Sequence, residues 1–406
     1  MLKYTPFYAI SLCLSALLAT SSAQAQSETS RWDAIVEQAK GQTVYWSAWG
    51  GAENVNEYIQ WIASRVDSQY DIELKHLKVV EIANTANRIM AEKQANNNAQ
   101  GSVDLVWING ENFRFMKQNG LLYGPFAEQL PNYINHVNPS ARQSLTQDFG
   151  TAVEGMEAPW GMAQLTFMYD SARLENPPKS AHDMLRYAKQ HPGQITYPRP
   201  PHYLGTTFLK QALYELSEDR LALLNPVSEA NFDQATKPLW ALLDQLHPYA
   251  WRQGRVFPAT AEEMMQLLAD KQIDIALSFD ISAASVQIER GNLPDTVRTY
   301  VFDAGTIGNT HFVAIPFNSG AKAGAQVVAN YLLSPEAQIF KQDPMIWGDL
   351  SVLDYNKLSP QSQAELDNLP RGLATLSIEE LGTTLPEPHS SWMTALEQAW
   401  QARYAR

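Results

Sequence analysis

Aromatic, amide and acidic side chains recur where an apolar strand pattern gives way to a helical pattern. Trp49 closes the first of these strands, and Gly50 and Gly51 follow it directly. Glycines at such a turn let a ligand approach the backbone, and an indole face can stack on a ring or attract a cation. In the alternative interpretation, the glycines only form the turn and Trp49 packs in the core. The residue types predict non-covalent binding of a small ligand.

The second and third turns of this kind carry polar residues. Asn84 and Thr85 occupy the second turn, where the asparagine would equally serve as a helix cap. Asn109, Glu111 and Asn112 occupy the third turn, and three polar groups exceed what one cap requires. All of these residues are candidates for ligand binding.

The second half of the chain offers a similar set. Tyr203, Gly205 and Thr206 stand at the start of a predicted helix, with the aromatic ring ahead of the helix N-terminus. Asp280 ends a predicted strand and could face an ammonium or hydroxyl group, although a solvated surface carboxylate is the alternative. Asn309 lies in a long extended stretch that would cross back between two lobes. These residues complete the candidate binding site.

No catalytic or metal-binding motif accompanies these residues. The scattered histidines show neither HExxH nor another metal-ligand spacing, so no metal or other cofactor is predicted. The GxSxG, Walker A and GxGxxG motifs do not occur in the sequence. Two alternatives stay open. One is a secreted hydrolase whose carboxylates pair only in the fold, as in glycosidases. The other is an adhesin or lectin, which the 11 tryptophans would permit but which usually has an all-β rhythm.

Composition narrows the choice of partner. The 406 residues include 30 Lys and Arg against 43 Asp and Glu, a formal net charge of −13. An acidic chain is a poor match for nucleic acid or for an anionic membrane surface, because both require a basic face. The length predicts two or three lobes, each able to bury a core.

The N-terminus has the pattern of a secretory signal peptide at residues 1–25. An apolar run that is too short to span a bilayer follows Lys3, and Ala23 and Ala25 have the spacing that signal peptidase favours. Cleavage is predicted after Ala25, with the mature chain in the periplasm. The single cysteine, Cys13, lies in this segment, so the mature protein is predicted to contain no disulfide.

Alternating strand and helix patterns must position the candidate residues. Strand patterns at 43–49, 72–80 and 102–108 alternate with helical patterns, which indicates βαβαβ, the opening of a doubly wound parallel sheet. The strand carboxyl ends and helix N-termini of such a sheet meet along one edge, where ligands bind. A second α/β unit is predicted in the middle of the chain, around a strand that ends at Asp280.

Several blocks of sequence resemble a known family. They are Trp46–Gly51, Val103–Asn112, Ala158–Trp160 with Phe167–Asp170, Asp274–Phe279, Phe312–Pro316 and Ala329–Gln338. Together with the signal peptide, these blocks resemble the solute-binding proteins of bacterial ABC importers. The resemblance is to the two-lobed group with maltose-, polyamine-, iron- and thiamine-binding members, and within it to an uncharacterised, thiamine-like branch.

The resemblance implies a type II periplasmic-binding-protein fold, in which two α/β lobes close like a Venus flytrap around the ligand. Each lobe would be a doubly wound sheet with helices on both faces. Lobe one would comprise residues 26–165 and 306–342, and lobe two residues 166–305 and 343–406. Trp160 would lie near the crossover and line the cleft, although a core position is the alternative.

The sequence therefore predicts the periplasmic solute-binding component of an ABC import system, a protein without catalysis. As a monomer it would trap a small organic solute, and its closed form would dock on a membrane permease with ATPase subunits. Several helix N-termini at the cleft would favour an anion or hydroxyl groups. A cationic or heteroaromatic solute, thiamine-like in size, is favoured by the aromatic rings of Trp49, Trp160 and Tyr203 together with the acids Glu111 and Asp280. No Lys or Arg stands in the first or third turn before Arg114, although Arg199 in lobe two could serve an anion.

Overall fold

The computed structural model describes residues 30–377 and 379–405. The predicted signal peptide, with its cleavage after Ala25, lies outside the described residues. The described chain opens with helix α1, which includes residues 30–39. Across these ranges, no helix combines the length and the apolarity needed to cross a membrane.

Strands and helices alternate along the chain. The strands are β1 (Thr43–Trp49), β2 (Glu73–Val79), β3 (Leu105–Ile108), β4 (Leu122–Tyr123), β5 (Gln147–Asp148), β6 (Thr151–Ala152), β7 (Glu157–Gln164), β8 (Thr166–Asp170), β9 (Ile275–Ser278), β10 (Val297–Tyr300), β11 (Thr306–Pro316) and β12 (Thr384–Leu385). The helices after α1 are α2 (Glu53–Tyr70), α3 (Ile82–Gln94), α4 (Glu111–Gln118), α5 (Pro131–His136), α6 (Ala181–Gln190), α7 (Tyr203–Leu216), α8 (Glu229–Leu246), α9 (Ala261–Ala269), α10 (Ala283–Glu289), α11 (Lys322–Leu332), α12 (Pro335–Gln342), α13 (Pro360–Asp367) and α14 (Ser390–Tyr404). Short 3₁₀ turns lie at Ala127–Gln129, Pro139–Ala141, Gln143–Leu145, Leu221–Leu224, His247–Tyr249, Trp251–Gly254 and Tyr355–Lys357.

A mixed sheet organises lobe one. Among the described strands its path is β12-β11-β3-β1-β2, and β4 and β7 also pair with β11. β1 runs parallel to β2 and β3, which confirms the predicted βαβαβ opening, whereas β11 runs antiparallel to β3 and β7. Side chains of α2 and α11 form a core on one face of the sheet, and those of α3 and α4 form a core on the other. The strand ends that follow β1, β2 and β3 therefore lie along one edge of lobe one.

A smaller sheet organises lobe two. Its path is β10-β8-β9, and β8 is antiparallel to both neighbours. Helices α6 to α10 pack around it, and α14 joins the same core through the buried Trp392, Leu396 and Trp400. The last helix of the chain thus packs in the same core as the smaller sheet.

Helix N-termini follow the capping rules at two predicted positions. The hydroxyl of Thr260 accepts a 3.1 Å hydrogen bond from the backbone N–H of Glu263, at the start of α9. The hydroxyl of Ser334 accepts a 3.1 Å bond from the N–H of Ala337, at the start of α12. At α3 the cap position belongs to Glu81 rather than to Asn84, which is exposed in the first turn.

Leu165 alone separates β7, which pairs in the mixed sheet, from β8, which pairs in the smaller sheet. Later in the chain, Trp347 and Val352 pack in the same core as β1 and α2. This packing favours a lobe one that extends past residue 342, the boundary expected from the sequence. The division into lobes at particular residues stays a prediction.

Candidate functional site

The first strand-end turn is shaped by close packing around its glycines. A Cβ atom on Gly51 would lie 2.4 Å from the indole of Trp49, and one on Gly50 would lie 2.7 Å from Cβ of Lys78. The backbone N–H of Gly50 also donates a 3.1 Å hydrogen bond to Val79 at the end of β2. Both glycines are therefore required by the turn itself, and Trp49 remains half-buried beside it.

The second turn contributes less than its residue types suggest. Thr85 is 1% exposed, and its hydroxyl lies 2.8 Å from that of Ser47 on β1. This hydrogen bond joins α3 to the sheet. Asn84 is exposed. Glu81, at the helix start, contributes a small part of the raised pKa of Glu397, which is caused mainly by burial.

A hydrogen bond to a buried carboxylate, that of Asp148, fixes the third turn. The Oδ2 atom of Asp148 accepts a 2.6 Å hydrogen bond from the backbone N–H of Gly110. Gly110 has φ of 60°, a conformation that glycine adopts without a steric penalty. Asn109 and Asn112 flank this position and are half-buried. The turn is therefore rigidly placed at the start of α4.

Helix α4 of lobe one is hydrogen-bonded to helix α14 of lobe two. The hydroxyl of Thr394 donates to Oε2 of Glu111 at 3.1 Å. Arg114 Nε donates to the hydroxyl of Ser390 at 2.8 Å. Glu111, a predicted site residue, thus lies where the two lobes meet.

Glu397 of α14 is bonded to α7 and lies within range of negative charges from the second and third turns. Its Oε1 accepts a 2.8 Å hydrogen bond from the hydroxyl of Thr206, the fourth residue of α7. The pKa of Glu397 is raised to about 7, mainly by burial; the negative charges of Glu111 and Glu81 also raise it, whereas Thr206 and Lys210 lower it. The fold therefore bonds Glu397 to Thr206 and places it within electrostatic range of Glu111.

The other predicted residues of lobe two lie at α7 and after β9. Tyr203 is 50% exposed at the start of α7. Gly205 is buried. Only glycine fits there, because a Cβ atom would lie 2.0 Å from the carbonyl oxygen of Pro198. Asp280 accepts a 2.9 Å bond from the N–H of Ser282, and burial together with the charge of Asp349 raises the pKa of Asp280 to about 7.

A buried ion pair links α12 to the segment after it. Lys341 Nζ lies 2.5 Å from Oδ2 of Asp349, and Nε2 of His311 lies 3.1 Å from Oδ1 of the same carboxylate. Burial alone would raise the pKa of Asp349, but Lys341 and His311 hold it below its usual value. Gly161 makes room for the pair, because a Cβ there would lie 2.1 Å from Oδ2 of Asp349.

A second buried ion pair lies beside α7. Lys210 Nζ is 2.5 Å from Oε2 of Glu387, and both side chains are less than 5% exposed. The amide nitrogen of Asn309, a predicted site residue, donates to Oε1 of Glu387 at 3.4 Å. Asn309 therefore contacts the segment around Glu387, whose neighbour Leu385 packs in the core of the smaller sheet.

Trp160 lies in the core of lobe one rather than on a cleft wall. It is fully buried, with its ring centroid 4.8 Å from that of Trp107 and 5.4 Å from those of Trp46 and Trp347. The core alternative that the sequence left open thus fits this packing. Trp107, which is half-buried, is the member of the cluster nearer the surface.

Sequence reasoning missed the polar residues supplied by distant segments. They are Glu81, Lys210, Glu387, Ser390, Thr394 and Glu397. The spacing of 390, 394 and 397 places three polar side chains on one stripe of α14, which is a detectable signal. Nothing in that spacing indicates which element the stripe faces. Within the described ranges, no group of three or more His, Cys, Asp or Glu side chains could hold a metal ion.

Comparison with known proteins identifies the family. A model of the bacterial extracellular solute-binding proteins matches residues 61–348. The chain belongs to this family. The Escherichia coli (strain K12) protein YnjB is 43% identical to it over 377 residues, which are 92% of this chain and 94% of YnjB. The membership makes the chain a bacterial extracellular solute-binding protein.

Solved structures of other solute-binding proteins share the fold. The TpPotD lipoprotein of Treponema pallidum has a TM-score of 0.66 at 13% identity, and the match covers 90% of this chain and 100% of that one. The periplasmic binding protein AfuA of Actinobacillus pleuropneumoniae, with fructose-6-phosphate bound, has a TM-score of 0.59 at 14% identity, covering 89% and 98%. The spermidine/putrescine-binding protein PotD of Streptococcus pneumoniae has a TM-score of 0.57 at 14% identity, covering 89% and 99%. These likenesses confirm the predicted two-lobed, type II binding-protein fold.

Proposed function

We propose that the chain is a periplasmic binding protein that captures a small organic cation in the cleft between its lobes. The solute would be cationic or heteroaromatic and thiamine-like in size. It would leave the protein chemically unchanged, by delivery to an ABC permease and its ATPase subunits. The protein would work as a monomer without cofactor or catalysis.

The observation that carries this proposal is the convergence of carboxylates from both lobes. Glu81 and Glu111 belong to strand-end turns of lobe one, and Glu397 belongs to lobe two. Burial is the main cause of the raised pKa of Glu397, and the like charges of Glu111 and Glu81 add to it. An ammonium or thiazolium-like charge between the lobes would relieve the repulsion among these like charges. Closure around a cation would therefore be favoured electrostatically.

Two buried lysines, Lys210 and Lys341, are already paired. Lys210 is bonded to Glu387, and Lys341 is bonded to Asp349. Their charges are compensated by buried carboxylates, so neither ammonium group is available to an anionic solute without breaking an ion pair. Breaking a buried pair is costly, because it leaves one charge without its partner.

Aromatic rings near the cleft favour a solute with a flat part. Tyr203 is half exposed in lobe two, and Trp49 is half-buried at the first turn of lobe one. A cation over an indole face contributes about 0.5–2 kcal/mol, depending on how far water is excluded. Asp280 could then neutralise a second positive group from the side of lobe two.

The fold by itself does not select the solute, since its neighbours include a protein with fructose-6-phosphate bound and a spermidine/putrescine-binding protein. Arg199 is exposed in lobe two and is the main residue that would suit a phosphate or carboxylate. The hydrolase alternative gains little support. The charge of Asp148 acts on Glu157, but the two carboxylates are only 2% and 0% exposed, which does not suit a hydrolytic pair.

Tryptophan fluorescence titration tests the proposal directly. The mature protein is titrated with thiamine, spermidine and fructose-6-phosphate, and the bound compound is recovered by denaturation. We expect saturable binding of a cation and recovery of the same compound. Recovery of a converted product would refute the binding-protein proposal, and saturable binding of only the sugar phosphate would refute the cationic solute.

A further inference from the structure

Residues 148–150, which we call the clasp, turn the chain between β5 and β6 at the junction of the lobes. Phe149 and Gly150 both have positive φ, at 44° and 75°. A residue with a side chain rarely adopts that conformation, and it persists where surrounding contacts determine it. Phe149 is 8% exposed, so its ring is enclosed by the elements around it.

The clasp contacts the third turn of lobe one through two neighbouring residues. Asp148 accepts a 2.6 Å hydrogen bond from the N–H of Gly110. The ring of Phe149 covers the same residue, since a Cβ on Gly110 would lie 3.2 Å from it. The position of Asn109 and Glu111, on either side of Gly110, therefore depends on the clasp.

The same residues contact three elements of lobe two. The carbonyl oxygen of Phe149 accepts a 3.0 Å hydrogen bond from the N–H of Ser390, at the start of α14. The ammonium group of Lys210 on α7 lies over the ring, 4.9 Å from its centroid. A Cβ on Gly150 would lie 2.9 Å from the carbonyl oxygen of Leu224, so the backbones are in close contact there.

We infer that Phe149 is a positioning residue that couples the Asn109–Glu111 turn to lobe two. Its ring is inserted between Gly110 and Lys210, so the lobes cannot separate there without uncovering one of them. Opening of the cleft is then coupled to loosening of the Asn109–Glu111 turn. The consequence for solute retention rests on the proposed function, whereas the coupling itself requires no solute.

Amide hydrogen exchange without solute tests the coupling. Phe149→Gly removes the ring and suits the positive φ, so the variant introduces no new backbone strain. We expect faster exchange in the peptides that contain Gly110 and Ser390 together, although these residues are far apart in sequence. Phe340→Ala is the matched control, because that ring stacks on Trp61 within lobe one. Exchange that rises at only one of the two peptides, or at neither, would overturn the coupling.

An interlobe distance gives a second readout. Spin labels at Gln60→Cys on α2 and Lys237→Cys on α8 report on the two lobes, and the only native cysteine is Cys13. We expect a longer-distance population in Phe149→Gly, a smaller one in Phe149→Leu, which keeps apolar volume, and none in Phe340→Ala. An unchanged distance distribution in Phe149→Gly refutes the inference. Both readouts are made on the solute-free protein, so a wrong assignment of the solute would leave them unaffected.

Discussion

The hydroxyl of Thr394 donates a 3.1 Å hydrogen bond to the carboxylate of Glu111. Thr394 lies on the last helix of the chain, and Glu111 begins the helix that follows the third strand. The bond joins lobe two to a strand-end turn of lobe one. Glu397 lies one turn further along α14, and its pKa is raised mainly by burial and also by the charge of Glu111.

Replacing Glu397 by glutamine tests the role of its charge in binding. Glu397→Gln keeps the shape of the side chain and removes its negative charge. We expect the dissociation constant for a cationic solute to rise about tenfold or more, in line with roughly 1.5–3 kcal/mol for a hydrogen bond to a charged group. Glu365→Gln, at an exposed position of α13, is the control. Equal affinities for the two variants in fluorescence titrations would show that Glu397 does not contribute to binding.

The indole of Trp49 should contribute to binding. Trp49→Ala is expected to weaken binding of the true solute by about tenfold or more, equivalent to roughly 1.4 kcal/mol. Trp49→Phe should retain part of the affinity because it keeps an aromatic face. Arg199→Ala should change the affinity little. The opposite pattern, with binding abolished by Arg199→Ala and unaffected by Trp49→Ala, would identify an anionic solute.

The affinity for a cation should depend on pH. The pKa values of Glu397 and Asp280 are both raised to about 7, mainly by burial, so these groups are largely protonated below that pH in the solute-free protein. A cation favours their ionised forms, and binding below pH 7 must release protons. We expect the association constant to rise between about pH 6 and pH 8 in calorimetric titrations, with proton release detected from the buffer dependence of the heat. An association constant that does not change with pH would show that neither acid interacts with the solute.

The buried pair Asp148 and Glu157 should make stability depend on pH. Neither carboxylate oxygen of Glu157 has a hydrogen-bond partner within the described part of the chain. Burial raises the pKa of both groups well above the ordinary value, and the charge of Glu387 adds to the effect at Asp148 as that of Asp148 does at Glu157. A raised pKa means that the folded protein holds a proton which the unfolded chain has released. Stability is therefore lost as the pH rises between the unfolded and folded pKa values, by about 1.4 kcal/mol per pH unit for one group.

Glu157→Gln should flatten that dependence. Urea unfolding at pH 5, 6, 7 and 8 is expected to give a shallower loss of the free energy of unfolding for the variant than for the wild type. Glu365→Gln should follow the wild type. Parallel curves for Glu157→Gln and the wild type would show that Glu157 does not hold the additional proton.

Solute binding should make the protein more compact. Hinge closure of two lobes around a solute reduces the radius of gyration. Small-angle scattering at saturating solute is expected to show a smaller radius than without solute. An identical profile at saturation would count against a closing cleft.

Local patterns were sufficient to predict the strand-end turns. β1 and α4 occupy the residues expected from the alternation and periodicity of their apolar residues. Ser334 caps α12 as its position before Pro335 indicates. These features depend on contacts between residues that are close in sequence. The parallel pairing of β1 with its neighbours follows from the same alternation of strands and helices.

The site depends on contacts that a local pattern does not contain. Glu397 meets Thr206 across 191 positions of sequence, and Glu387 meets Lys210 across 177. Trp160 shows the converse problem, because a tryptophan near a crossover fits a cleft wall and a core equally well until its neighbours are known. Its burial against three other tryptophans fits the second possibility.

Native mass spectrometry of the mature protein, purified from the periplasm without denaturation, tests the central claim most directly. We predict one bound small organic cation per protein chain, released intact by denaturation and identical to the compound that rebinds the emptied protein. Loss of this adduct in Glu397→Gln, but not in Glu365→Gln, would connect it to the proposed site. A bound phosphorylated or other anionic compound, or a released compound that differs from the one supplied, would contradict the account.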